Sequence, residues 1–171
     1  MVRQPVTANE HRPPAAIFDV DGTLCDVRSV RKYVEPNHAI LNFKKDYARF
    51  HRESIGCPPH TQVVKLARHL RTKNIKILVV SGRQERWLGI TKQWLAKWNI
   101  EYDDIYLRGD RDFRPDIQLK AQIGERILEK YHPIVAVDDR DDIIAAWKRI
   151  AIPTVKVAED GSFNLSECTV D

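Results

Sequence analysis

The sequence has no apolar run near the ~20 residues a membrane-spanning helix requires, so no membrane partner is expected. Cysteine is scarce. Cys25, Cys57 and Cys168 are odd in number and far apart, which offers neither a disulfide framework nor a C-x-x-C zinc or redox pair. The six histidines show no zinc spacing either. No G-x-x-x-x-G-K-[ST] occurs, so no P-loop is expected. Repeats and low-complexity segments are absent. Excess charge is slight: 28 basic against 24 acidic residues give +4, which suits a phosphorylated substrate or a nucleic-acid end but not extensive duplex binding. Met1 to Pro14 is polar and lacks the apolar core of a signal peptide, so a loose tail (1–14) and a cytoplasmic protein are expected.

What remains is an ordinary globular composition, 43% hydrophobic and 30% charged over 171 residues, enough for one domain with a core (15–171). The informative stretch is Ile17-Phe18-Asp19-Val20-Asp21-Gly22-Thr23-Leu24. An apolar strand delivers two carboxylates at i and i+2, which in extended backbone point the same way. Two such anions repel unless a cation compensates, and hard oxygen ligands favour Mg²⁺. Gly22 permits a sharp turn, and Thr23 can hydrogen-bond a neighbouring carboxylate.

Three further segments end in polar groups. Ile75 to Val80 reads as a strand ending in Ser81-Gly82-Arg83: a hydroxyl donor, a glycine for close backbone approach, and a guanidinium able to bind phosphate bidentately. Arg114-Pro115-Asp116 opens a helix with Pro115 at its first position, and Asp116 and Lys120, four apart, can pair. Pro133 to Val137 is a strand ending in Asp138-Asp139-Arg140, a second acidic pair. Asp141 and Asp142 read as acids at a helix N-terminus, with Asp142 the weaker metal candidate. Strands alternating with helices imply a mostly parallel sheet covered on both faces, with ligands at the strands' C-terminal ends.

Between these motifs, 36–55 reads as helical, with Ile40, Phe43, Tyr47 and Phe50 recurring at three or four residues. His60 to Asn74 reads as a second helix. Gln84 to Asn99 is a third, its Trp87, Leu88, Thr91, Trp94, Leu95 and Trp98 facing the core. Arg108 to Arg114 is a charged loop expected to be solvated or to touch substrate. Cys25 and Arg31 fit C-x5-R, the spacing of cysteine phosphatases, but no glycine lies between them to form a phosphate cradle, so Cys25 is expected to be a packed side chain.

D-x-D-G-T after a buried strand resembles the first motif of the haloacid dehalogenase (HAD)-like hydrolases, most of them phosphatases. The later segments resemble the 3′-phosphatase domain of bacteriophage polynucleotide kinase/phosphatase and its stand-alone relatives. The likeness is strongest over Arg114 to Lys120 and Val137 to Ile150. The resemblance implies an α/β, HAD-like Rossmannoid three-layer sandwich with a small helical cap at about 26–59. It implies Asp19 as nucleophile, Asp21 as general acid/base, Ser81 and Lys120 as catalytic partners, and Mg²⁺ held by Asp19, the Asp21 carbonyl, Asp138 and Asp139. Arg83, Gly82, Thr23 and Asp116 would serve substrate binding, with Arg28 and Arg31 the candidates for an arginine that follows the first motif. The substrate implied is a phosphorylated nucleotide or polynucleotide 3′ end. A small-molecule nucleotidase is the alternative, and a non-catalytic nucleic-acid end-binding module a third reading. No 5′-kinase activity is expected from this chain.

Overall fold

The computed structural model describes residues 12–35 and 42–167. Five strands form one parallel sheet: β1 (Pro14–Phe18), β2 (Lys76–Gln84), β3 (Asp104–Arg108), β4 (His132–Asp138) and β5 (Thr154–Lys156), in spatial order β3-β2-β1-β4-β5. The helices are α1 (Tyr47–Glu53), α2 (Thr61–Thr72), α3 (Leu88–Lys97), α4 (Asp116–Lys130) and α5 (Asp141–Arg149). The three-layer α/β expectation is met.

The layers follow from the period of two along each strand. Ala16, Phe18, Ile77, Val79, Val135 and Val137 pack with Val63, Trp94 and Leu95 of α2 and α3. The alternate residues, Ala15, Ile17, Leu78, Val80 and Ala136, pack with Leu119, Ile123, Ile127, Ile143 and Trp147 of α4 and α5. A sheet buried on both faces needs apolar residues at every position, and β1 has four buried residues in succession. Asp19 and Asp138 continue the register of Ile17 and Ala136, so each carboxylate leaves the sheet toward α4.

Several boundaries differ from the sequence reading. Of the expected tail, residues 1–11 lie outside the described residues, whereas Pro14 opens β1 and the Pro13 carbonyl accepts the N–H of His132 at 3.0 Å. The helix expected over 36–55 is shorter. Residues 36–41, including Ile40, lie outside the described residues, and Phe43 precedes the helix. The Asp46 side chain accepts the Arg49 N–H at 2.9 Å and fixes the N-terminus of α1. A 3₁₀ turn, Ser54–Gly56, follows. β2 runs past Val80 to Gln84 because, after an irregularity, Gln84 pairs with Arg108 of β3. The helix expected from Gln84 begins with a 3₁₀ turn, Glu85–Trp87. Pro115 stands before α4, with ψ at 145°, rather than at its first residue. Thr91, Trp94 and Leu95 are buried, in keeping with the core-facing stripe. The segment between β1 and α2 is tied to α3 by the Trp94 indole, which donates to the Cys57 carbonyl at 2.9 Å.

Candidate active site

β1 ends in a tight loop. Leu24 N–H donates to the Asp19 carbonyl at 3.3 Å, and Cys25 N–H donates to the Val20 carbonyl at 2.8 Å. The backbone N–H of Asp19 bonds Val137 of the adjacent strand at 3.1 Å, which sets the two acidic pairs side by side. Lys120 reaches them from α4. Its ammonium donates to Asp19 Oδ1 at 2.7 Å and to Asp138 Oδ2 at 2.6 Å, and all three residues are buried. Carboxylate oxygens of Asp19, Asp138 and Asp139 lie within 4.8 Å of one another. Thr23 Oγ1 donates to Asp139 Oδ1 at 3.2 Å, the hydroxyl–carboxylate contact expected of it.

This cluster is short of positive charge. Burial pushes the Asp19 carboxyl well above its usual range. Lys120 pulls it down, and Asp138 and Asp139 push it up again. Burial and then Asp138 likewise raise Asp139. Burial works against the charged form of Lys120, but Asp138 and Asp19 outweigh it and raise its pKa. Buried, mutually repelling oxygen donors in this number fit a hard divalent cation.

Gly22 makes the arrangement possible. Its φ is +89°, and a Cβ there would lie 2.4 Å from Asp139 Oδ2. Gly22→Ala is therefore expected to lose about 1–3 kcal/mol from left-handed strain and displacement of Asp139, and to weaken Mg²⁺ affinity. Denaturant unfolding and metal titration of the variant check both.

Asp21 lines the same cavity as Asp19 but answers to a different cation. Arg83 grips it bidentately, Nε to Oδ2 at 2.8 Å and Nη2 to Oδ1 at 2.5 Å. Two further Arg83 donors reach Ser54 Oγ at 2.9 Å and Thr91 Oγ1 at 3.2 Å. Arg83, read from sequence as a phosphate-binding residue, is thus a buried anchor beneath Asp21 that spends most of its donors on protein, though it also lines the cavity. Burial alone would raise the Asp21 carboxyl, but Arg83 outweighs it and the pKa ends below the usual range. Arg83→Gln removes the largest opposition to burial. Asp21 should then titrate at higher pH, and the loss of a buried pair should cost about 3–5 kcal/mol. NMR titration of the Asp21 carboxyl and an unfolding curve test the two effects separately. Ser81 is buried. Its Oγ accepts the Arg83 N–H at 3.3 Å, leaving the hydroxyl proton to donate into the cavity.

Two expected contacts are replaced by others. Asp116 does not pair with Lys120, whose ammonium is taken by two buried carboxylates. It instead binds the guanidiniums of Arg108 and Arg140, the latter at 2.5 Å. Gly82 gives close approach, but to Asp116 rather than to ligand: a Cβ would lie 2.8 Å from Asp116 Oδ1. Arg31 lines the cavity, 3.8 Å from Asp139 and 3.1 Å from Glu159. Arg28 is exposed, clasps Asp26 at 2.6 Å, and is not among the residues lining that cavity. Asp142 bonds Arg140 at 2.7 Å and stands outside the acidic cluster. Cys25 is fully buried, and its thiol pKa is raised, first by a hydrogen bond with Cys57, as suits a packed residue.

Sequence reading missed Arg108, His51 and Ser54. Arg108 is largely buried and donates to the carbonyls of Gly82, Asp112 and Arg114 at 3.1, 3.1 and 2.6 Å, so the 108–114 loop is pinned to β2 rather than merely solvated. Its place at the end of β3 matched the rule that found the other motifs. His51 lines the cavity from α1, and its Nδ1 is buried without a partner. Burial lowers its pKa to about 4, so the ring is neutral near pH 7. Nothing in the sequence set it apart from the other five histidines.

A parallel sheet layered by helices, with carboxylates from the ends of two adjacent strands joined by a lysine from a following helix, defines a HAD-like hydrolase. The family model of the polynucleotide kinase PNKP phosphatase domain matches residues 13–163, and the chain belongs to that family. Among curated proteins it is similar to a putative bifunctional polynucleotide kinase/RNA ligase of Autographa californica nuclear polyhedrosis virus, 25% identical over 153 residues, 88% of this chain and 20% of the viral protein. Among solved structures it is similar to a chain of the Pnkp1/Rnl/Hen1 RNA repair complex, at 26% identity and a TM-score of 0.69, covering 92% of this chain and 45% of that one. A HAD hydrolase of Entamoeba histolytica HM-1:IMSS shares the fold at 14% identity and a TM-score of 0.62, covering 87% and 86% of the two chains. The chain thus spans one fifth of the viral relative and under half of the repair-complex chain. No helix among the described residues is long and apolar enough to cross a membrane.

Proposed function

We propose that this chain is a Mg²⁺-dependent phosphomonoesterase that removes the terminal phosphate from polynucleotide 3′ ends or nucleoside 3′-phosphates. The observation that carries the reading is the bridge from Lys120 to Asp19 and Asp138 beside Asp139, in the cavity that also holds Asp21 on Arg83. Asp19 attacks phosphorus and forms an aspartyl-phosphate as the P–O bond to the leaving alcohol breaks. Asp21 donates a proton to that oxygen, then takes one from the water that hydrolyses the acyl-phosphate. Asp21 rests ionised on Arg83, and an incoming phosphate dianion raises its pKa toward the acid form. Lys120 opposes the burial that disfavours ionised Asp19 and then shares the charge of the phosphoryl oxygens, with Ser81 donating a hydrogen bond. Mg²⁺, held by Asp19, Asp138 and Asp139 with the Asp21 carbonyl, would supply positive charge to those oxygens.

The segment at about 26–59 serves as a small cap that leaves the cavity open to a chain end. The phosphatase unit is taken as residues 15–171. The relatives named for RNA repair and for polynucleotide kinase/RNA ligase support a nucleic-acid substrate. One observation favours a mononucleotide instead: Arg31, on the cavity wall, already pairs with Glu35 and Glu159, and those acids would repel a long polyanion. Free thiols at Cys25 and Cys57 suit a cytoplasmic setting.

The test is phosphate release from 3′- and 5′-phosphorylated oligonucleotides and from nucleoside 3′- and 5′-monophosphates, with Mg²⁺ or with EDTA. The 3′-phosphorylated oligonucleotide should be fastest, with release lost in EDTA and restored by Mg²⁺. Preference for the 5′-monophosphates, or full activity in EDTA, would overturn the reading.

A further inference from the structure

The cavity measures about 1180 Å³, above the common range for small-ligand pockets, and far more than one phosphoryl group fills. Its walls are unlike. One carries Lys120 and the acidic cluster. Asp21 belongs to the other side, where Arg83 holds it against Ser54 at the end of α1. The group that Asp21 protonates is the leaving alcohol, so residues beside Asp21 face the leaving group. His51 is one helical turn before Ser54, whose hydroxyl donates to the His51 carbonyl at 2.8 Å. Its ring feels the charges of both Asp21 and Arg83.

His51 is surrounded by aromatic rings. Its centroid lies 5.2 Å from Phe50, 5.4 Å from Trp87 and 6.3 Å from Tyr47, the last nearly parallel at 27°. Only 8% of His51 is exposed, yet Nδ1 has no hydrogen-bond partner. A buried polar atom left unsatisfied costs free energy that a ligand group can recover. Three large hydrophobic side chains are markedly exposed among the described residues: Tyr47, Phe113 and Leu165. Two of them, Tyr47 at 53% and Phe113 at 85%, line this cavity, one from α1 and one from the loop after β3. Solvent-facing rings lining a charged cavity suit a flat, apolar partner that carries a phosphate. Arg86 and Arg114 line the same cavity, paired with Asp110 and Asp112.

We infer that Tyr47, His51 and Phe113 form a leaving-group subsite for a nucleoside, its base stacked on the exposed rings and a polar edge hydrogen-bonded to His51. The inference rests on the phosphatase reading above and makes these three residues the source of nucleotide selectivity. An aliphatic phosphomonoester such as β-glycerophosphate reaches the same nucleophile without using the subsite.

The experiment compares kcat/KM for a 3′-phosphorylated oligonucleotide, the same oligonucleotide with an abasic 3′-terminal residue, and β-glycerophosphate. The proteins are wild type, Tyr47→Ala, Phe113→Ala, His51→Ala and His51→Gln. Tyr47 and Phe113 are exposed, so their truncation leaves the core intact. Each aromatic truncation should lower the ratio of oligonucleotide to β-glycerophosphate kcat/KM about tenfold, the scale of one stacked base, chiefly through KM. The wild type should lose a similar factor on the abasic end, and the aromatic variants little more. His51→Ala should lower the ratio, and His51→Gln, which keeps a hydrogen-bonding group, should recover part of it. An unchanged ratio in both Tyr47→Ala and Phe113→Ala, or full wild-type activity on the abasic end, overturns the subsite while leaving the phosphatase reading intact. No phosphate release by the wild type from any of the three substrates overturns both.

Discussion

Asp19→Asn should abolish phosphate release, by a factor on the order of 10⁴ or more, as loss of a covalent nucleophile does elsewhere, with no loss of stability. The reason is electrostatic. Asp19 is buried, and burial, Asp138 and Asp139 all oppose its ionisation. The amide is nearly isosteric and carries no charge to desolvate. Lys120 keeps its 2.6 Å contact with Asp138, so no buried cation is stranded. Unfolding curves should match or slightly exceed wild type while turnover disappears. An Asp19→Asn protein that turns over at the wild-type rate would remove Asp19 from the chemistry. A variant that fails to fold would show that the carboxylate is needed for structure.

Lys120→Met should be the most damaging substitution to stability and activity together. The methionine fills much of the space but leaves Asp19 and Asp138 buried without their ammonium, close to Asp139. Breaking one partner out of a buried ion pair typically costs about 3–5 kcal/mol. The sign of the pH effect also follows. Lys120 lowers the Asp19 pKa in the native protein, so without it Asp19 takes up its proton at higher pH. The acid limb of the rate profile, which reports the ionised nucleophile, should therefore move upward in pH as the rate falls. Mg²⁺ should stabilise the variant more than the wild type, because a cation bound only by the native state adds to its stability and here relieves uncompensated repulsion. Thermal unfolding with and without Mg²⁺ reads this directly. An equal shift in both proteins would place the cation away from this cluster.

These two side chains show what the sequence made legible. Asp19 and Asp138 could be placed because each follows an apolar strand, and a parallel sheet puts such ends on one edge. Lys120 could be placed by order along the chain. Which partner each group takes was legible only in part: Lys120 was placed to neutralise Asp19, and it does so. Four-residue spacing suggested that Asp116 would hold Lys120, yet two carboxylates 101 and 18 residues away hold it instead. Arg83 followed a strand in the position of a phosphate ligand, but Thr91 of α3 and Ser54 turn its guanidinium beneath Asp21. Such choices depend on distances across the fold, which periodicity does not encode. The same holds for α1, where Asp46 capping the helix decided a boundary that hydrophobic spacing had set further upstream. His51 was silent because burial, not neighbouring sequence, gives it an unsatisfied nitrogen.

The central claim is that Asp19 carries the phosphoryl group in transit. The most direct measurement is acid quench of the enzyme during turnover of a 3′-phosphorylated oligonucleotide, borohydride reduction of any acyl-phosphate, and peptide mass spectrometry. The expected result is homoserine at position 19 in the wild-type enzyme, dependent on substrate and absent from the Asp19→Asn protein. Phosphate release with no reduced residue at 19, or with the label on a different acid, would contradict it.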